Sequence, residues 1–152
     1  MIKITKSVDD IVPLWSEAFG DSREDIVFFI ENIKNASCFA YFENNKAVSM
    51  LYLVDCVLDG KHSHYIYAAC TTQSYRKKGY MSALIKYCAA EFDGVCLIPA
   101  NEELIEYYKR HNLTFEYSVD KLKFEECKEL IDEYLYAGCS LKTPVVLSNK
   151  GE

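Results

Sequence analysis

The stretch QSYRKKGYMSALI, residues 73–85, decides how the rest of the chain is read. Arg76, Lys77 and Lys78 are three consecutive cations at the start of a helical pattern. A helix N-terminus already carries about half a positive charge from the aligned peptide dipoles, so cations are unfavourable there. From Gly79 the apolar period is clear. Met81, Leu84, Ile85, Cys88, Ala89 and Phe92 share one face, and Gly94 supplies the stop. KHSHYIYAAC (61–70) upstream has strand composition, and VCLI (95–98) downstream reads as a short buried strand ended by Pro99. Strand, helix and strand in that order predict one parallel crossover around residues 79–92.

Working outward toward the N-terminus, SCFAYF and AVSMLYLVDCVL are β-rich runs separated by the turn ENNK. Asp59-Gly60 is a two-residue hairpin signal. With no bulge in that hairpin, Asp55 faces His64 and Tyr52 faces Tyr67. IKIT opens the chain as a strand. Ser7 and Asp10 have capping-box-like spacing before IVPLWSEAF, whose Pro13 requires the helix to begin close by, and Gly20 ends it. A second helix, SREDIVFFIENIKN, places Ile26, Phe29, Ile30 and Ile33 on one face.

Toward the C-terminus, Asn101 is an N-cap, with Glu102 and Glu103 in the first turn and Lys109, Arg110 and His111 in the last. Those charges obey the dipole rule that residues 76–78 break. Asn112 is a left-handed stop, LTFEYSV alternates as a strand, and EECKELIDEYLY is a further helix. LKTPVVL reads as a last strand or as a tail, so the role of residues 138–152 stays open. The expected architecture is α/β, a mixed and mostly antiparallel sheet covered by helices, in one domain over residues 1–152.

Composition narrows the function. A chain of 152 residues with 50% hydrophobic residues is long enough to bury roughly two-thirds of its unfolded surface. The net charge of -6 argues against a nucleic-acid or anionic-membrane partner, which needs a basic face. Seven cysteines make an odd count with no C-x-x-C pair, and several fall in apolar runs. They read as buried thiols of a reducing cytoplasm, with no disulfide and no metal expected. MIKITKSVDD has no apolar signal core, and no apolar run approaches membrane-spanning length.

A cluster of cations at a helix start is either a solvated turn or an anion site. Backbone N–H groups at a helix start bind phosphate, neighbouring cations suit a polyphosphate, and Gly79 lets a ligand approach the backbone. The turn follows directly on strand 61–72, at the carboxyl edge where α/β sheets bind ligands. Neither G-x-x-x-x-G-K-[ST] nor G-x-G-x-x-G occurs in the chain, so neither of those nucleotide-binding turns is present.

TTQSYRKKGYMSALI resembles the acetyl-coenzyme A signature of the GNAT superfamily of N-acetyltransferases, [QR]-x-x-G-x-[GA], through Arg76, Gly79 and Met81. PANEELIEYYKRHNL is similar to the family's downstream N-x-x-A-x-x-x-Y-x-x-x-G-F segment through Asn101, Tyr108, Asn112 and Leu113. Met81 stands where a small residue is usual, and Asn112-Leu113 replaces Gly-Phe. The resemblance spans the chain to about residue 120. It implies the GNAT acyltransferase fold and acetyl-coenzyme A as cosubstrate. Residues Arg76, Lys77, Lys78, Gly79, Tyr80, Met81 and Ser82 would wrap the pyrophosphate, with Asn101 completing the cofactor-side set. Backbone groups at Cys70 and Thr71 would pair with the pantetheine arm and polarise the thioester carbonyl.

The same resemblance gives Tyr108 the role of general acid toward the leaving thiolate; Tyr107 points about 100° away around the helix. The other reading of Tyr108 is an interior aromatic with a satisfied hydroxyl. No acid occurs in residues 61–70 to act as general base. His64, oriented by Asp55, is a substitute, against a plain half-exposed cross-strand pair. Cys70 is a strand residue or, with His64 on its face by parity, an activated nucleophile. Asp21 stays open as an attractor of a cationic amine, while Ser22 and Asp25 form a capping box.

The function expected is acetyl transfer from acetyl-coenzyme A to a primary amine of a small molecule or peptide, by direct attack in a ternary complex. The alternative is a non-catalytic acyl-coenzyme A-binding sensor. The expected setting is cytoplasmic, with no nucleic-acid or membrane partner. The oligomeric state, a homodimer among the options, is open.

Overall fold

A computed structural model describes residues 1–124, 131 and 139–151. The chain divides into two compact units, Met1–Val54 with Ile66–Tyr87 and Asp55–Tyr65 with Cys88–Glu152.

In the first unit, β1 (Ile2–Thr5) pairs antiparallel with β2 (Ala36–Glu43), from Ile2 opposite Tyr41 to Thr5 opposite Cys38. β2 pairs antiparallel with β3 (Lys46–Leu58), from Ala36 opposite Val54 to Glu43 opposite Lys46, with a register shift between Tyr41 and Phe42. Asn44 and Asn45 link them with φ of 51° and 62°. Two left-handed residues in succession give the turn whose twist matches paired strands, and asparagine tolerates that region. β4 (Lys61–Thr71) follows β3 through Asp59 and Gly60, at φ 50° and 78°, the hairpin turn expected from the sequence.

Helix α1 (Val8–Phe19) buries Ile11, Leu14 and Trp15, and Gly20 at φ 73° closes it with an N–H donated to the Ser16 carbonyl. Two details differ from expectation. Ser7 sits at the N-cap position, but its side chain makes no cap bond. Thr5 braces the residues around it: its hydroxyl donates to Asp10 Oδ2 at 2.8 Å and accepts the Ser7 N–H at 3.1 Å. Pro13 lies within the helix, five residues past its first, where the missing N–H removes a bond to the Asp9 carbonyl. In α2 (Arg23–Asn32), Ser22 Oγ accepts the Asp25 N–H at 3.2 Å, as its spacing predicts. Ile26 and Phe29 are buried, Ile30 is half-buried, and Ile33 has already left the helix. The aromatic heart of this unit is Trp15, in contact with Phe29 at 5.0 Å and with Tyr52 and Tyr67 at 6.0 Å, while Phe29 stacks on Tyr67 at 5.2 Å. Tyr52 and Tyr67 thus both pack against Trp15 and Phe29.

In the second unit, the start of β4 pairs parallel with β5 (Val95–Leu97), His64 opposite Val95 and Tyr65 opposite Cys96. The crossover predicted from the helical period is therefore present, carried by α3 (Tyr80–Glu91). Helix α4 (Glu102–Lys109) starts on Asn101, whose Oδ1 accepts the Leu104 N–H at 2.9 Å, and ends before Asn112 at φ 70°. β6 (Phe115–Ser118) and a two-residue β7 (Leu122–Lys123) follow, β7 pairing with the end of β3 at Val57 and Leu58. The question left open for LKTPVVL is answered: β8 (Val145–Ser148) lies between β5 and β6, antiparallel to both. Of the helix expected over EECKELIDEYLY, only Ile131 is among the described residues, and it is buried.

Cys38, Cys56, Cys70, Cys88, Cys96 and Cys139 are free thiols, all buried except the half-buried Cys139. Among the described residues, no helix is long and apolar enough to cross a membrane.

Candidate functional site

The cationic turn joins β4 to α3 in the first unit. β4 ends at Thr71, a short 3-10 helix spans Gln73–Tyr75, and α3 begins at Tyr80 with the Ala83 N–H donated to the Gly79 carbonyl. The chain reverses through Lys77 at φ 62° and Gly79 at φ 87°. A Cβ built on Gly79 meets no atom within 4 Å, so the backbone is open to solvent, and only its left-handed φ favours glycine. The first N–H groups of a helix have no intrahelical acceptor, so this start presents donors. Arg76, Lys77, Lys78 and Gly79 are exposed, while Tyr80, Met81 and Ser82 are half-buried.

The three cations are not equivalent. Arg76 folds back on the protein: its Nε donates to the Thr71 carbonyl at 2.9 Å and its Nη2 lies 3.7 Å from Glu17 Oε2. Lys78 rests over the Tyr75 ring at 5.4 Å, a cation–π contact, and Tyr80 packs on Tyr75 at 5.8 Å and on Tyr41 at 4.8 Å.

Glu17 is a residue sequence reasoning missed. Its carboxylate accepts the Thr72 hydroxyl at 3.0 Å and the Gln73 N–H at 3.1 Å, and it faces Arg76. The signal was present: Glu17 lies in the last turn of α1, where the dipole disfavours an acid, as it disfavours cations at the start of α3. The two violations belong to one arrangement.

Ser49 is the second missed residue. Fully buried, it donates to the Cys70 carbonyl at 3.2 Å, and its hydroxyl lies 2.8 Å from that of Thr71. Together with Arg76 on the Thr71 carbonyl, this fixes both peptide groups named as partners of a pantetheine arm. Two residues upstream, Ala68 has φ 55° in the middle of β4, a left-handed residue where strand geometry is expected. Alanine has no ordinary reason to occupy that region, and such strain concentrates at functional sites.

The surroundings of Cys70 favour a strand residue over a nucleophile. Burial pushes its thiol up to about 12, the Glu17 charge adds to this, and its Sγ lies 3.6 Å from the Leu14 carbonyl. A thiol held protonated is no nucleophile. The left-handed Ala68 also interrupts the alternation that put Cys70 and His64 on one face. Asp21 is engaged as well, its Oδ2 accepting the Trp15 indole N–H at 2.8 Å.

Tyr108 and Asn101 belong to the second unit. Tyr108 is 8% exposed, and burial, with Tyr107 beside it, pushes its hydroxyl up to about 12. Its backbone carbonyl takes the His111 and Leu113 N–H groups at 2.9 and 3.1 Å, which closes the helix end. Asn101 acts through its side chain as the α4 cap. His64 is buried instead of half-exposed: its Nδ1 lies 3.0 Å from the Gly94 carbonyl and its Nε2 3.7 Å from Asp55.

Residues 3–114 match the family described as acetyltransferase (GNAT) domain. No curated protein sequence matches the chain. Among solved structures, a candidate GNAT acetyltransferase of Bacteroides thetaiotaomicron superposes with a TM-score of 0.61 at 14% identity, over 100% of this chain and 88% of that one. An aminoglycoside acetyltransferase from an uncultured soil metagenomic sample gives 0.55 at 20% identity, over 78% and 91%. A candidate N-acyltransferase of Enterococcus faecalis V583 gives 0.57 at 14% identity, over 76% of this chain but only 33% of that longer one. At these identities the structures speak for the fold alone, and the family match carries the assignment: the chain belongs to the GNAT acetyltransferase family.

Proposed function

We propose that this chain transfers the acetyl group of acetyl-coenzyme A to a primary amine of a small molecule or peptide, by direct attack in a ternary complex. The observation that carries the reading is the turn before α3. It combines three cations, a left-handed Gly79 open to solvent, and a helix start free of acidic residues from Thr72 to Ser82. That chemistry fits a pyrophosphate, which helix-start amides and flanking cations hold together.

Acetyl-coenzyme A, when bound, supplies a thioester whose carbonyl carbon the amine attacks, so that a C–N bond forms and a C–S bond breaks. The N–H groups of residues 76–82 hold the phosphates, and Lys77 and Lys78 add charge. Arg76 shapes the turn as much as it attracts an anion, because its guanidinium is committed to Thr71 and Glu17. Backbone groups of Cys70 and Thr71, fixed by Ser49 and Arg76, orient the pantetheine arm and polarise the thioester. Tyr108 donates its hydroxyl proton to the departing thiolate, and the proton shed by the amine nitrogen passes through water and restores the phenol. Asn101 holds the start of the helix that carries Tyr108. The role of Tyr108 rests on the motif running from Asn101 to Leu113. Aminoglycosides, the substrates named for one structural neighbour, are a reasonable first member of the amine class.

The test is a calorimetric titration of acetyl-coenzyme A into the full chain and into a Lys77→Ala/Lys78→Ala variant, followed by thiol release with an amine panel. Micromolar binding, weakened roughly tenfold by the double change, is expected. Binding with no thiol release from any amine would replace the enzyme by an acyl-coenzyme A sensor. No binding at all overturns the proposal.

A further inference from the structure

Three side chains given no part in the transfer proposed above converge beside the Asp59-Gly60 hairpin. His62 and His64 are two residues apart on β4, so both rings leave the strand on one side. Asp55, near the end of β3, reaches the same side. Its Oδ2 lies 3.7 Å from His62 Nε2 and its Oδ1 3.7 Å from His64 Nε2. One ligand atom from each residue lies within 4.8 Å of the others. At 3.7 Å neither histidine closes a hydrogen bond with the carboxylate, for which about 2.7–3.2 Å is needed. The three groups face a common space.

His64 is set for coordination before any ion arrives. Its Nδ1 lies 3.0 Å from the Gly94 carbonyl, which can only accept, so that nitrogen carries the proton. Nε2, 3.7 Å from Asp55 Oδ1, is therefore the ring atom that carries the lone pair. A backbone carbonyl fixing the remote nitrogen in this way is the usual support of a metal-ligating histidine. Phe92 packs on the ring at 4.8 Å and the side chain is only 11% exposed, so its position is firm. His62 and Asp55, at 60% and 46%, are open to solvent and free to adjust.

We propose that Asp55, His62 and His64 bind a first-row divalent cation of the Zn2+ class, with water completing the shell. Two imidazoles and one carboxylate form a donor set that Ca2+ and Mg2+, which take oxygen ligands, do not favour. Tetrahedral zinc at about 2.0–2.1 Å separates its ligand atoms by about 3.4 Å. Ligand atoms that lie within 4.8 Å of one another therefore draw together by up to about 1.4 Å, which the exposed His62 and Asp55 side chains allow. The bound ion clamps the end of β3 to the start of β4.

The experiment titrates ZnCl2 calorimetrically into the reduced full chain and into His62→Ala and Asp55→Asn. The same proteins are loaded with Co2+ and their visible spectra recorded. Circular dichroism checks that the fold of each variant is retained, as expected for two exposed side chains. One equivalent bound at micromolar concentration is expected, weakened roughly tenfold or more by either substitution, with a cobalt spectrum lacking thiolate charge transfer. Binding that both folded variants retain, a thiolate-type spectrum, or no binding below millimolar Zn2+ would overturn the site. None of these outcomes depends on acetyl transfer.

Discussion

Glu17 Oε2 accepts the Gln73 N–H at 3.1 Å, and this single bond ties the end of α1 to the start of the cationic turn across 56 residues of sequence. With the Thr72 hydroxyl on the other carboxylate oxygen and Arg76 opposite, Glu17 holds the turn in shape while staying half-exposed itself.

Glu17→Gln keeps the size of the side chain and one acceptor but removes the charge. The bonds it weakens are partly solvated, so about 1–2 kcal/mol is at stake, which is roughly 5- to 30-fold in acetyl-coenzyme A affinity. Calorimetry on the folded variant measures this directly. Undiminished affinity would show that the turn holds its shape without α1.

Tyr108→Phe removes the proposed proton donor and leaves the ring. Turnover is expected to fall about a hundredfold or more, with acetyl-coenzyme A affinity kept. Because burial pushes the hydroxyl up to about 12, Tyr108 stays protonated across the neutral and mildly alkaline range. The pH–rate profiles of wild type and variant should therefore differ in height and agree in shape below about pH 10. An alkaline limb that vanishes in the variant would contradict the burial of that hydroxyl.

Ala68→Gly tests the left-handed residue of β4. Glycine in a strand ordinarily costs about 0.5–1 kcal/mol, whereas an L-residue at positive φ costs roughly 1–2 kcal/mol. The substitution is expected to leave the melting temperature unchanged or raise it. A clear fall would mean that the strand alternates normally through residue 68.

The buried thiols set an alkaline limit to stability. The Cys70 thiol is raised to about 12 in the folded chain, so its contribution is complete below the ordinary thiol value of about 9 and is lost as pH rises through about 12. Over that interval one such group accounts for stability on the order of a few kcal/mol. Urea midpoints at two pH values spanning the interval should drop less in Cys70→Ala than in wild type. Parallel drops would mean that this thiol is not shielded from water.

Asn101→Ala deletes the α4 cap, whose side chain accepts the Leu104 N–H at 2.9 Å. A loss of about 1 kcal/mol is expected, visible as about 2–4 °C in melting temperature. Asn101→Asp, which keeps the acceptor, should restore it.

What the sequence alone determined is what is encoded within a few residues. The turns at Asn44-Asn45 and Asp59-Gly60, the caps at Ser22 and Asn101, the stops at Gly20 and Asn112 and the α3 crossover rest on local periodicity and on residues that tolerate special backbone angles. The turn itself was legible because its charges contradict a local electrostatic rule. The tertiary structure decided what depends on partners distant in the chain. Glu17 on the turn, Ser49 on the Cys70 carbonyl, Trp15 on Asp21, the insertion of β8 between β5 and β6, and the convergence of Asp55 with two histidines are each set by packing. A side chain's own neighbourhood says which bonds it can make, and only the folded chain says which of its many possible partners arrives within reach.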